Sequence, residues 1–107
     1  MVEEMEAHEL YERLQAELPE MIARLRGEEL EATTAAHQTR WADGYGWALE
    51  LALEGEQLRL CVMEDQQVLF RLEGVGSGSL KLVENRLEPL TRNRIERFVE
   101  EVAGSAS

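Results

Sequence analysis

The spacing of apolar residues changes twice along this chain, and that change most constrains the fold. Apolar residues recur every three or four positions in residues 1–36, every second position in residues 37–85, and every three or four positions again in residues 86–104. A repeat near 3.6 is typical of a helix with one buried face, and a repeat of two is typical of a half-buried strand. The sequence therefore predicts a single α+β domain with a helical region at each end of a sheet.

The first region, residues 1–36, has the pattern of an amphipathic helix. Pro19 lies inside this pattern, and because proline removes a backbone donor, we expect the helix to kink or restart there. Gly27 is a natural stop, and residues 28–36 are either a further short helical turn or a connector. The stripe expected to face the core consists of Met5, Leu10, Leu14, Leu18, Met21, Ile22 and Leu25.

Residues 37–85 carry the alternation of an antiparallel sheet. Three segments, 47–53, 58–62 and 68–72, alternate apolar with small or polar residues and are separated by short polar turns. Such turns are typical of hairpins, so the segments form a meander. Residues 38–43 and 80–84 are further candidate strands, and the sequence predicts four or five strands in all.

Residues 86–104 are predicted to form the C-terminal helix. Thr91 is a candidate N-cap, Gly104 is a natural stop, and residues 105–107 are expected to form a frayed tail. The apolar stripe of this helix consists of Ile95, Phe98, Val99 and Val102. Both helices are expected to pack on the apolar face of the sheet, because that arrangement buries all three apolar surfaces together.

The charge of the chain is strongly negative and unevenly placed. The chain has 22 Asp and Glu against 11 Lys and Arg, a formal net charge of -11 on 107 residues. Residues 1–36 alone hold ten carboxylates and three arginines, whereas residues 86–107 are balanced. An acidic surface repels phosphate backbones and acidic lipid, which argues against direct nucleic-acid or membrane binding. A basic protein is the natural partner, unless the charge serves solubility alone.

Several function classes lack their sequence signals. His8, His37 and Cys61 have no metal-ligand spacing, and the glycine-rich segment 74–79 lacks the Lys-Ser/Thr ending of a phosphate loop. The single cysteine excludes an internal disulfide, and its apolar neighbours indicate an inert thiol. We therefore expect no catalytic residue, no metal and no cofactor. The acidic start and the lack of a long apolar run favour a cytoplasmic protein.

The first functional hypothesis is a non-catalytic protein-binding module of the inhibitor, immunity, chaperone or adaptor type. It would engage a basic partner through the acidic N-terminal helix, and an aromatic cluster would anchor that partner. The cluster surrounds Gly44 and Gly46 and belongs either to the core, the more frequent place for tryptophan, or to an interface. The candidate partner-binding residues are Glu3, Glu4, Glu6, Glu9, Glu12, Trp41, Tyr45 and Trp47.

The alternative hypothesis is a small anionic-ligand-binding domain or enzyme with its site between sheet and helices. Arg92 and Arg94 lie in the first turn of the C-terminal helix, and Glu100 and Glu101 lie in its last, which is the reverse of what a helix dipole favours. Arg92, Arg94 and Arg97 are therefore candidate anion-binding residues, unless they are simply solvated or face the acidic helix. A homodimer with the first helix as its seam is a third possibility, although Pro19 argues against a long coiled coil.

Overall fold

The structure, a computed structural model, describes residues 5–104, and in it two helices flank a six-stranded antiparallel sheet. Glu3, Glu4 and the tail 105–107 lie outside the described residues. The helices are α1 (Ala7–Arg26) and α2 (Pro89–Gly104), and the strands are β1 (Glu31–Ala35), β2 (Gln38–Ala42), β3 (Trp47–Glu54), β4 (Gln57–Glu64), β5 (Gln67–Gly74) and β6 (Lys81–Asn85).

The sheet is a plain meander, as the short polar turns predicted. Its strands follow the chain order from β1 to β6, and each pairs antiparallel with the next. Leu51 lies opposite Leu60, and Val62 lies opposite Phe70, so the apolar residues of successive strands share one face. This face and the stripes of both helices form one core, which confirms the predicted α+β fold with both helices on one side.

Helix α1 follows the predicted stripe closely. Leu10, Leu14 and Leu18 are buried, and Pro19 is exposed within a helix that continues to Arg26, so the helix does not restart at the proline. Gly27 ends the helix as predicted. Its φ of 78° is left-handed, and its N–H donates to the carbonyl of Ala23, which is the arrangement that favours glycine after a helix.

The boundary predicted at residue 36 is wrong, because the sheet already begins at Glu31. Residues 28–36 are neither a helical turn nor only a connector, since they contain β1. Every residue of β1 is exposed, because this strand lies at the sheet edge and pairs only with β2. A strand with two wet faces shows no alternation, and so the sheet has six strands rather than four or five.

The predicted N-cap of α2 is also wrong. The helix begins at Pro89, and the carbonyl of Glu88 accepts the first helical bond from the N–H of Arg92 at 2.9 Å. Proline favours the first helical position because its fixed φ suits the helix and its missing N–H would be unbonded there. Thr91 therefore lies inside the first turn, and the predicted stop at Gly104 is confirmed.

One buried polar side chain fastens α1 to the sheet. Thr39 of β2 is buried among apolar neighbours. Its Oγ1 accepts a hydrogen bond from Nε2 of Gln15 at 2.9 Å and lies 3.4 Å from the hydroxyl of Tyr11. A buried hydroxyl is costly unless it is hydrogen-bonded, so these contacts fix α1 in position above β2. In residues 5–104 neither helix combines the length and apolar character that crossing a membrane requires.

We expect the core to depend on Phe70, which is fully buried on β5, opposite Val62 of β4. Replacing it with alanine leaves a cavity, and Phe70→Ala should lower the free energy of unfolding by about 3–5 kcal/mol. The matched control is Leu90→Ala, because Leu90 is largely exposed in α2. Urea denaturation followed by circular dichroism measures both changes, and equal effects would contradict this description of the core.

Candidate protein-binding surfaces

The outward side of α1 carries a row of carboxylates, which we call the α1 acidic surface: Glu6, Glu9, Glu12, Glu17 and Glu20. All five are exposed, because the apolar stripe on the other side of the helix takes every core contact. Glu6 caps the helix N-terminus without a side-chain hydrogen bond of its own. Glu9 and Glu12 therefore lie on the solvent-facing side of α1, and Glu6 is exposed at its N-cap.

Arginine on the same helix partly neutralises this surface. Oε1 of Glu9 lies 3.8 Å from Nε of Arg13, and Oε1 of Glu20 accepts a hydrogen bond from Arg24 at 2.6 Å. Both pairs are exposed, and such pairs contribute at most about 1 kcal/mol. The carboxylates can therefore exchange an arginine of α1 for a cation of a partner at small cost.

The negative charge continues past the end of α1. The connector and the start of β1 add Glu28, Glu29 and Glu31, all exposed and without an ion pair among the described residues. Residues 6–31 together hold eight carboxylates and three arginines. The acidic region therefore spans the length of α1 and turns toward the sheet edge.

The structure divides the aromatic cluster between core and surface. Trp41 is 2% exposed and Trp47 is 8% exposed, so both tryptophans belong to the core, the more frequent of the two interpretations. Tyr45 is 91% exposed at the tip of the turn between β2 and β3. Of the three aromatic candidates, Tyr45 alone offers its ring to a partner.

Asp43 holds this turn in shape and joins it to α1. Its Oδ1 accepts the N–H groups of Tyr45 at 2.7 Å and Trp47 at 3.1 Å, and its Oδ2 accepts a hydrogen bond from Arg26 at 2.9 Å. These bonds, the one from Tyr45 foremost, hold the pKa of Asp43 below its ordinary value despite some desolvation. The guanidinium of Arg26 also lies 4.6 Å from the centre of the Trp47 ring, so the end of α1 and the turn form one unit.

The three candidate anion-binding arginines do not converge. Arg94 and Arg97 line a groove of about 540 Å³ between α1 and α2 and have no ion pair within 4.0 Å in the described part of the chain. Arg92 lies 3.9 Å from Glu96 of the same helix and donates to Oδ1 of Asn85 on β6 at 3.2 Å. Two of the three candidate arginines, Arg94 and Arg97, therefore lie in the groove.

Carboxylates oppose anion binding in that groove. Glu17 and Glu20 of α1 and Glu101 of α2 line it beside Arg24, Arg94 and Arg97, so its charged groups balance. Because anionic recognition needs convergent cations and little opposing charge, this geometry does not favour a small anionic ligand. Arg94 and Arg97 instead face Glu17 and Glu20 of the α1 acidic surface across the groove.

Metal binding and thiol chemistry find little support in the described part of the chain. Residues 5–104 contain no group of three His, Cys, Asp or Glu side chains arranged to hold a metal. The rings of His8 and His37 lie 6.3 Å apart, a proximity that sequence spacing did not reveal. Burial raises the pKa of the Cys61 thiol to about 11, so it stays protonated and unreactive near neutral pH.

Comparison with protein-family models, with curated proteins and with solved structures found no match for this chain.

We expect Asp43 to make stability depend on pH. A carboxylate with a lowered folded pKa stabilises the fold above its unfolded value of 3.8 and loses that contribution as the pH falls through the folded value. Asp43→Asn should therefore be less stable than the parent protein at neutral pH, and this difference should shrink below pH 3.8.

Urea titrations of the two proteins at about pH 7 and about pH 3 measure this difference. Asp65→Asn is the control, because Asp65 lies in the neighbouring turn and is exposed without an ion pair in the described residues. A difference that stayed constant between the two pH values would show that Asp43 acts by shape rather than by charge.

The balanced groove predicts that small anions do not stabilise this protein. Sulfate or phosphate at about 10 mM should raise the melting temperature no more than sodium chloride of equal ionic strength, because only a ligand that prefers the folded state shifts it. A rise that Arg94→Ala abolishes would instead support an anion site on α2. Thermal unfolding of the parent protein and the variant in the three salts measures this.

Proposed function

We propose that this protein is a small non-catalytic binding module that engages a basic protein partner through α1. The observation that carries the proposal is the exposure of Glu6, Glu9 and Glu12, whose helix uses its opposite side entirely for the core. An inhibitor or immunity protein, a chaperone and an adaptor all work in this stoichiometric way. The free thiol of Cys61 suits the cytoplasm as the compartment.

The mechanism we propose is electrostatic steering followed by local anchoring. Carboxylates along α1 raise the association rate of a cationic partner, and this effect weakens as salt screens the charges. A helix of 20 residues is about 30 Å long, which is enough for one side of a standard interface. The Asp43 turn presents Tyr45 beyond the C-terminal end of this surface, where an aromatic ring can act as an anchor.

The anionic-ligand alternative has weaker support, because the guanidinium groups of Arg94 and Arg97 share their groove with three carboxylates and Arg92 is engaged elsewhere. Solubility alone remains the simplest competing explanation of the charge. It differs from our proposal in one respect: for solubility the position of the carboxylates does not matter, whereas for steering the carboxylates must lie on the surface that meets the partner.

A pair of matched variants tests this difference. Glu6, Glu9 and Glu12 are replaced by glutamine in one variant. The control replaces Glu56 and Glu100 by glutamine and Asp65 by asparagine, because these three are exposed, lie outside α1 and have no ion pair in the described residues. Both variants lose the same charge. The partner is captured at low salt, purified, and its association rate with each protein is measured by biolayer interferometry.

At low salt the α1 variant should associate about tenfold more slowly than the parent protein, and the control should change much less, because steering depends on where the charge lies. The gap between the two variants should close at high salt. Equal effects of the two variants, or no effect of either, would refute binding through α1 and leave solubility as the role of the charge.

A further inference from the structure

Exposed apolar side chains concentrate along the β6 edge of the sheet. Within residues 5–104 five large apolar side chains are exposed, and three of them, Val75 (58%), Leu82 (39%) and Val83 (47%), lie on β6 or in the loop before it. Tyr45 and Leu90 are elsewhere. Exposed apolar side chains grouped at one edge of a sheet are typical of interaction sites.

The two edges of the sheet differ in character. The strand β1 presents only small or polar side chains, Glu31 to Ala35, whereas β6 presents Leu82 and Val83, with Val83 at a β-bulge that leaves it opposite no residue of β5. Each edge strand pairs with one neighbour only. An edge strand exposes a row of unpaired N–H and C=O groups, and an apolar edge is a template for another strand. Only β6 combines the free backbone with apolar side chains.

A cleft of about 270 Å³ with a mixed apolar and polar lining lies between β6 and α2. Its lining includes Leu72 of β5 and Leu82 of β6, with Glu96 and Glu100 of α2 at the rim. The exposed side chain of Leu82 thus belongs both to the free edge and to the cleft. A strand added at β6 would therefore contact Leu82 at the border of the cleft.

When two copies of β6 lie antiparallel, the charged residues of one strand face residues of opposite charge on the other. Lys81 lies opposite Glu73, and Glu84 lies opposite Arg71, so both point to the outer side of the sheet. Lys81 has no ion pair within 4.0 Å in the described part of the chain. In an antiparallel pair of β6 strands, Lys81 of one copy comes beside Glu84 of the other, and cross-strand pairs of opposite charge are favourable.

The charges on α2 agree with the same arrangement. Arg92 and Arg94 lie in the first half of α2 and Glu100 and Glu101 near its end, which is unfavourable with respect to the dipole of the helix itself. Pairing of two β6 strands in opposite directions also runs the two α2 helices in opposite directions. The basic half of each α2 then lies toward the acidic end of the other.

We propose that β6 is the interface for a second copy of this chain. The two β6 strands pair antiparallel about a two-fold axis perpendicular to the sheet, which joins the two sheets into one. Leu82 and Val83 of each copy become buried against the other. The helices of both copies lie on the same side, and the α1 acidic surfaces stay free, so this inference does not rest on the proposed function.

Charge reversal at β6 tests the pairing. Lys81→Glu gives a strand with two acidic residues, and Glu84→Lys gives one with two basic residues. Each variant alone should dimerise at least tenfold more weakly than the parent protein, and an equimolar mixture should form a heterodimer. Sedimentation equilibrium from about 1 to 200 µM measures the dissociation constants. Thr33→Glu on the exposed strand β1 is the matched edge control and should leave dimerisation unchanged.

A second measurement avoids substitutions. The backbone amides of β6 should exchange with deuterium more slowly at high than at low protein concentration, because they become hydrogen-bonded in the dimer. A parent protein that stays monomeric over the whole range would overturn the proposal. So would a dimer insensitive to both β6 variants, or one that Leu90→Glu in the α1–α2 groove dissociates instead.

Discussion

Burial of one face of the sheet beneath two helices is the interaction on which the rest of the structure depends. Leu51, Leu60 and Phe70 pack against the stripes of α1 and α2, and each such side chain contributes about 1.5–3 kcal/mol when taken out of water. Because these stripes use one side of each helix, the other side is left to charge. The acidic surface of α1 is therefore a consequence of how the helix is anchored.

Charged side chains on the uncovered face of the sheet lie close to one another in ion pairs. Arg59 lies 2.8 Å from Glu54, and Arg71 lies 3.3 Å from Glu73, both on the side away from the helices. These long side chains lie beside Cys61, which is buried although no helix covers it. The four cations of residues 37–85 all share this face, Arg40, Arg59, Arg71 and Lys81. The carboxylate surplus consequently falls on α1, the connector and the turns.

Sequence patterns predicted the elements that have one buried and one exposed side, and missed β1, which is exposed on both sides. The stripe of α1 and the alternation of β3 to β5 each report a boundary between core and water, and both were found. In β1 every residue is wet, so no pattern distinguishes it from a connector. Pro89 also explains the missed helix start, since proline at the first helical position was a readable signal that the choice of Thr91 overlooked.

The spacing of residues along the sequence could not predict contacts between residues that are far apart in it. The Arg26–Asp43 pair and the bond from Gln15 to Thr39 join α1 to strands far along the chain, and either partner alone looks like an ordinary surface residue. The same holds for Arg94 and Arg97, whose position across the groove from Glu17 depends on how the two helices lie. Packing rather than composition decides which charges remain free.

The free charge and the free edge have a joint consequence for binding. Pairing of two copies at β6 would place both α1 helices on one side of a continuous sheet, with the acidic surfaces at a fixed separation. A partner with two basic regions at that separation would bind more tightly, because once one region is bound the second is held at a high effective concentration near the other copy. A partner with a single basic region would gain nothing from the second copy. The edge strand would then set which basic partners bind tightly, although it carries little of the negative charge itself.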